Sequence, residues 1–462
     1  MSSELIERNG FDDADELVDR VQQKLALRVQ DELTRRDGPV VDGVERAVAG
    51  KLIDAVMSEV IEGWVVQGRP FPGPDQEWAV KEAVMAEMFG LGRLEPLLAD
   101  GEVENIDIIG NEPAWLSYGD GRVMRGPRVA PTDEALVRWL QRLATRHSRT
   151  ERSFNGAHPL LNMELPGGER LAAVIDVTDR PHVSIRRHRL PAASLEDLRG
   201  KGVLSTAQLA LLRAAIRAEK NIVICGRQKA GKTTLLRALC WEIPADERFA
   251  TVETEFELGL HRYRDRFPAV VPFEQREGNS ERMENGRPVG GIDLPQLVWH
   301  SLRMHTTRII VGEVRGREII PMLDALSTGG AGSLSTLHAR AAGDAINRMA
   351  RLCLEGNTAW TPELAFDTVA HTIDLIVHLD LVRTQDSLDR YISEIISVEA
   401  GEYGRPARTY LFQPEPDGRR SIPTGNLPTD IADYERAGFD RNWLTRGGDG
   451  DWMLNQSGVR GG

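Results

Sequence analysis

Little in this chain suits a covalent framework, a membrane span or a nucleic-acid grip. Of its 462 residues only three are cysteine. Cys225, Cys240 and Cys353 stand in apolar segments with no paired spacing, so they read as small core residues, with no support for a disulfide frame or a zinc site. No apolar run approaches the roughly 18 residues that a membrane-spanning helix needs. The opening stretch, "MSSELIERNGFDDADELVDR", is polar and acidic, unlike a signal peptide. Residence in the cytoplasm is the resulting expectation. A basic excess is missing too: 57 Lys and Arg face 70 Asp and Glu, for a net charge of −13. A protein that binds nucleic acid along its length carries the opposite balance. A local basic stripe is still compatible with that sum.

What is present is a hydrophobic fraction of 41%, ordinary for a globular chain and enough for roughly two to four domains. Residues 1–75 read as a helical extension, with Leu17, Val21, Leu25 and Val29 forming one apolar stripe at helical spacing. "GRPFPGPDQ" (68–76) is a Pro/Gly break and a boundary. Residues 76–190 read as a smaller α/β domain. It has a hairpin around Gly119-Asp120-Gly121, a long helix near 132–147, and the strands "ERLAAVIDV" and "HVSIRRH". "RLPAASLEDLRGKG" reads as a linker, centred on 191–202. From 203 to 425 helices alternate with short apolar runs. "NIVICG", "FATVET", "RIIVGE" and "LIVHLDL" are candidate buried parallel strands, so a sheet with helices on both faces is expected. Residues 426–462 read as a C-terminal tail.

The chemistry centres on "GRQKAGKTT", residues 226–234. The spacing is Gly-x4-Gly-Lys-Thr, and it lies between the β-rich run 221–225 and the amphipathic segment "TTLLRALCWEI". Strand, glycine turn, helix is the context that makes this pattern a phosphate-binding loop. Gly226 and Gly231 allow the unusual backbone angles of the turn. The N–H groups of Arg227, Gln228, Lys229, Ala230, Gly231, Lys232, Thr233 and Thr234 then face phosphate oxygens at the positive end of a helix. Lys232 is expected to reach the β- and γ-phosphates of ATP, and Thr233 to offer a hydroxyl to Mg²⁺. Lys229 and Ala230 occupy places that other such loops fill with Gly and Ser. The Lys229 side chain reads either as solvated or as an added charge near the phosphates.

Two further runs complete the candidate site. "RIIVGEVRGREI" (308–319) carries four apolar residues into Gly312-Glu313. The strand is expected beside the phosphate loop, with Glu313 acting through a water ligand of Mg²⁺ or polarising the attacking water. "STGGAGSLSTLHAR" (327–340) reads as a flexible turn that ends in Thr336, His338 and Arg340. His338 there is either structural or a reporter of the γ-phosphate.

These elements, in this order, resemble the type II/IV secretion ATPase family, and most closely its CpaF/TadA branch of pilus and secretion motors. "RIIVGEVRGREIIPMLDALSTGGAGSLSTLHA" is similar to the family's Walker B and His boxes in one run. "TVETEFELGLH" (251–261) resembles the Asp box, with Glu253 and Glu257 in its acidic places. The resemblance implies a RecA-like P-loop domain after a smaller α/β domain, a homo-hexameric ring, and ATP hydrolysis that moves one domain against the other. It implies an inner-membrane platform protein as partner, with peripheral attachment to the inner face of the cell membrane. Arg276 and Arg303 match family arginines that reach phosphate, a role that suits a planar, permanently charged donor. Arg170 and Arg187 are further candidates for closing over the nucleotide. Three departures stand out: the phosphate loop lacks Thr-Gly-Ser, Thr254 replaces an Asp, and Gly330 replaces a His. Two other readings stay open: a nucleotide-gated scaffold with weak hydrolysis, and a nucleic-acid translocating motor. The second draws on Arg138, Arg142, Arg146 and Arg149, spaced along one helical face.

Overall fold

The computed structural model describes residues 42–68, 73–119, 121–147, 154–187, 194–276, 278, 289–328, 330–383, 388–414 and 420–445, together with Val21 and Lys24. The chain divides into two compact units, Met1–Arg189 and Leu190–Gly462. Of the apolar stripe read near the N-terminus only Val21 falls among the described residues; Leu17, Leu25 and Val29 lie outside them.

In the first unit, helices Asp42–Val66 and Pro74–Phe89 bury Ile53, Val56, Val60 and Trp64 against Val80 and Val84. Six strands follow: β1 (Val103–Ile109), β2 (Pro113–Tyr118), β3 (Val123–Arg128), β4 (Leu160–Glu164), β5 (Arg170–Val174) and β6 (His182–Arg186). They form one antiparallel sheet in the order β3-β2-β1-β6-β5-β4. Strict inside/outside alternation, as in Leu161, Met163, Leu171, Ala173, Val183 and Ile185, gives that sheet one apolar face. The helix Asp133–His147 covers it with Leu136, Trp139, Leu140 and Leu143. β2 and β3 pair antiparallel, with Ser117 opposite Val123, as the hairpin reading expects; Asp120 of the turn lies outside the described residues.

The second unit holds β7 (Ile222–Gly226), β8 (Phe249–Glu253), β9 (Val271–Glu274), β10 (Arg308–Val314) and β11 (Leu334–Leu337). The remaining strands are β12 (Leu375–Arg383), β13 (Leu388–Ala400), β14 (Pro406–Pro414) and β15 (Ser421–Pro423). Among the described residues they form a nine-stranded sheet, β15-β14-β13-β12-β7-β11-β10-β8-β9. From β12 to β9 all pairs are parallel, and β13 to β15 extend the sheet antiparallel. Strands buried on both faces favour apolar residues; β7, β8 and β11 are buried throughout, with Thr251, Glu253, Ser335 and Thr336 as their polar members. Ile222 and Ile224 join the core under helices Thr206–Arg217 and Lys232–Cys240. Val223 and Cys225 face the other side, with helices Leu294–Ser301, Ile319–Ser327, Ala342–Gly356 and Pro362–Thr372. All three cysteines are buried and unpaired. Burial raises their thiol pKa values, Cys353 to about 12, as expected of inert core residues.

Three segments differ from the sequence reading. The linker contains a packed helix, Leu195–Gly200, started by a reciprocal cap between Ser194 and Asp197; its Leu195 and Leu198 enter the core. The turn read at 327–340 contains β11, a four-residue buried strand whose short length hid its period. Residues 431–444 of the tail bring Tyr434, Phe439 and Leu444 into the core, and Asp433 Oδ2 accepts from Lys220 Nζ at 2.8 Å.

Candidate nucleotide site

The order of strands places the chemistry. In a parallel sheet functional loops gather at the carboxyl edge, where strands end and helices begin. β7 ends there in Gly226, and β11, its neighbour in the sheet, ends in Leu337, whose register partner is Cys225. β10 lies one strand further, with Val314 opposite Leu337. The sequence reading put the strand of Glu313 directly beside the phosphate loop. Instead β11 lies between them, and it sets His338 between Lys232 and Glu313.

The loop itself is built by backbone constraint. Gly226 has φ 149° and Gly231 φ 96°, both unfavourable for side chains. A Cβ on Gly226 would stand 2.4 Å from the carbonyl oxygen of Leu379 in β12. Gly226→Ala therefore forces either the loop or the adjacent strand to move. ATP binding by this variant, measured by calorimetry, is expected to disappear together with a fall in melting temperature. Binding at native strength would show that the loop is looser than this contact implies. Gly231 opens the helix Lys232–Cys240, whose first-turn N–H groups have no intrahelical acceptor and point out of the helix end. Arg227, Gln228 and Lys229 are exposed, Ala230 is buried, and Thr233 and Thr234 are half-buried in the first turn.

Lys232 is 8% exposed. Its Nζ donates to the Arg227 carbonyl at 3.0 Å and lies 3.3 Å from His338 Nδ1. On the other side of that ring, His338 Nε2 lies 2.8 Å from Glu313 Oε1. Glu313 Oε2 accepts from Arg315 Nη2 at 2.6 Å. These contacts fit a neutral imidazole that accepts at Nδ1 and carries its proton on Nε2. Burial pushes the His338 pKa down, the nearby Lys232 charge adds to that, and Glu313 opposes it. Burial likewise lowers the Lys232 pKa against the pull of Glu313. At Glu313, burial favours the neutral acid, but the Arg315 hydrogen bond and charge, with His338 and Lys232, hold the carboxyl below its ordinary value. The site thus presents a carboxylate, a neutral imidazole and an ammonium in one row.

The residues present suit ATP and Mg²⁺. Glu313 Oε1 is buried and, despite the nearby His338 ring, makes no well-aligned hydrogen bond. That oxygen keeps acceptor capacity that a water ligand of Mg²⁺ would use. Thr233 is placed in the first turn of the helix, half-buried, one residue after Lys232. Glu253 acts differently. It is 2% exposed, and its Oε2 accepts from the N–H groups of Glu257 and Leu258 at 2.8 and 2.7 Å. It shapes the 254–258 loop, and half-buried Glu257 bears electrostatically on Lys232 and Arg315.

The two arginines separate from this group. Arg276 follows β9, four strands from β7, which is ~19 Å at the usual strand spacing. Its Nε donates to Gly290 O at 2.6 Å. Arg303 stands in the turn before β10, at the amino edge of the sheet. There Arg248 Nε donates to Met304 O at 2.9 Å. Neither arginine joins Lys232 within its own chain. Arg170 and Arg187 belong to the other unit, where Arg187 holds the Asp100 carbonyl. Of the basic helical face, Arg138 and Arg142 are exposed; Arg149 and the side chain of Arg146 lie outside the described residues. Arg315 and Arg390 are the contributors that sequence reasoning missed. Arg315 stood two residues from Glu313 within the quoted motif, and a strand-end spacing of two was the available signal. Arg390 is remote in sequence, and nothing local marks it.

The family model described as "Type II/IV secretion system protein" matches residues 130–421, more than half of the chain. The chain belongs to the type II/IV secretion family. Among curated relatives of this family member, "Putative conjugal transfer protein" of Mycobacterium tuberculosis is 33% identical over 289 residues, 61% of this chain and 78% of that one. The type IV secretion system protein PtlH of Bordetella pertussis is 30% identical over 295 residues, covering 58% and 81%. Among solved structures, the VirB11 ATPase from the Brucella suis type IV secretion system, in complex with sulphate, shares 25% identity. It covers 69% of this chain and 96% of that one, with a TM-score of 0.34. The RecA-like α/β fold of this secretion-family chain agrees with the expectation from its motifs.

Proposed function

We propose that this chain is an ATP hydrolase that works as a ring, of the CpaF/TadA type of motor in its family, and that converts hydrolysis into movement between its two units to drive pilus assembly or protein secretion. The observation that carries this reading is the row Lys232, His338, Glu313 at the carboxyl edge of the sheet. Lys232 leaves the Arg227 carbonyl for the β- and γ-phosphates. Glu313 orients and polarises the attacking water, and neutral His338, touching both, senses whether the terminal phosphate is present. Bound Mg²⁺, held by the Thr233 hydroxyl and by Glu313 through water, would neutralise phosphate charge. Arg276 and Arg303, remote from the site of their own chain, would serve the nucleotide of a neighbouring subunit in a homo-hexamer. The acidic surface suits basic loops of an inner-membrane platform protein, which would bring the ring to the inner face of the membrane from the cytoplasm. Among the described residues no helix is long and apolar enough to cross a membrane.

Mass measurement in solution with and without ATP and Mg²⁺, paired with a distance measurement between labels on the two units, tests the proposal. A six-subunit species and a distance that cycles only while ATP is being consumed are expected. A monomer that hydrolyses ATP with no change of distance would contradict it. A second reading, a nucleotide-gated scaffold, draws on the engagement of Lys232 by a loop carbonyl and of Glu313 by Arg315. It requires ring assembly on ATP binding with negligible turnover.

A further inference from the structure

Lys229 is the one residue between Gly226 and Thr234 that holds a left-handed backbone, φ 65°, without being glycine. For a residue with a side chain that conformation is disfavoured by a factor of about five to thirty in equilibrium, so something must hold it. The Lys229 side chain is exposed. The restraint comes from elsewhere in the fold. β12 runs beside β7 as far as Leu379, opposite Gly226, and then continues with β13 as a hairpin to the pair Arg383–Leu388. The overhang stands next to the phosphate loop. From β13 within it, Arg390 Nε donates to the Lys229 carbonyl oxygen at 3.0 Å. The Arg390 stem passes close to Gly231, with Cδ 3.7 Å from where a Cβ on that glycine would sit. β12 supplies the other wall, the Leu379 carbonyl against Gly226.

We propose that Arg390 is a positioning residue of the nucleotide site: its hydrogen bond fixes the peptide after Lys229 and so keeps the loop in the shape that receives phosphate. This rests on the reading of residues 226–234 as the ATP site. Arg390 touches the loop backbone and acts through it. The brace stands in for the glycine that other loops place here. The sequence departure at Lys229 and the distant arginine are therefore two halves of one device. The hairpin is thereby tied mechanically to the phosphate loop.

ATP affinity measured by calorimetry in a double-mutant cycle tests the device, using Arg390→Met, which keeps the stem and removes the donor, and Lys229→Gly, which removes the strain. Arg390→Met is expected to weaken ATP binding about tenfold, with its melting temperature close to native. In the Lys229→Gly background the same change is expected to cost less than about twofold, because glycine holds φ near 65° unaided. An equal loss in both backgrounds would overturn the proposal and show that Arg390 acts through its charge. No loss in either background would show that the brace is inert, and a Lys229→Gly chain that fails to bind ATP would contradict the need for a left-handed residue. Should Arg390→Met melt early, Arg390→Leu provides the same comparison, again without a donor. A native chain that binds no ATP would defeat the site assignment itself, an outcome distinct from all of these.

Discussion

Lys232→Ala is expected to raise the dissociation constant for ATP by about a hundredfold or more. The ammonium is the one cation of the phosphate loop that is buried, 8% exposed, with its head on the loop carbonyl of Arg227. That contact fixes where Nζ sits before any ligand arrives, and a phosphate oxygen is a stronger acceptor than the carbonyl it replaces. Charge-assisted hydrogen bonds of this sort contribute about 1.5–3 kcal/mol each, and two oxygens within reach bring the loss to the stated range. Burial already lowers the Lys232 pKa, so the ion sits in the site at a cost that only an anion offsets fully. The substitution also removes a charge that depresses the His338 pKa, so that pKa should rise in the variant. Titration calorimetry gives the affinity, and the ring proton shifts of His338 against pH give the second effect. Native affinity in Lys232→Ala would remove the loop from the account.

Glu313→Gln is expected to retain ATP binding within a few-fold and to lower kcat by roughly 10²–10⁴. The amide is isosteric but cannot accept a proton or hold a full negative charge toward the attacking water. The resting geometry supports a base role: Arg315 fills one carboxylate oxygen at 2.6 Å, and the other lies within 2.8 Å of His338 Nε2 without a well-aligned hydrogen bond. Because Arg315 holds the Glu313 pKa below its ordinary value, the carboxylate is charged throughout the neutral range. Steady-state turnover and a binding isotherm on the same preparation separate the two effects. A variant that hydrolyses at the native rate would place the base elsewhere.

Much of this site was legible because its parts are local. A glycine pair that must turn sharply, a lysine at the head of a helix and an acid at the end of an apolar strand each leave a short-range mark. Those marks match the backbone positions of Gly226 and Gly231 at positive φ, Lys232 at a helix start and Glu313 near the end of β10. What the sequence hid was pairing between strands. β11 has four residues and lies among glycines and serines, so no period showed, and the insertion of His338 between Lys232 and Glu313 went unseen. The packed helix at 195–200 was masked by its short length and by the Pro-Ala-Ala stretch before it. Tyr434, Phe439 and Leu444 lay in the segment read as a tail, although the described structure places all three in the core. Arg276 and Arg303 were named from motif position alone. The topology sends one to the far strand and the other to the opposite edge of the sheet, a separation that only strand order reveals.

The central claim is that residues 226–234 wrap a nucleoside triphosphate while Glu313 faces its terminal phosphorus. A crystal structure of the chain with Mg²⁺ and a non-hydrolysable ATP analogue tests it most directly. The account predicts Lys232 Nζ moved from the Arg227 carbonyl onto the β- and γ-phosphate oxygens, with a water between Glu313 and the γ-phosphorus. Analogue bound elsewhere, or Lys232 still on the carbonyl with the loop empty at saturating analogue, would contradict it.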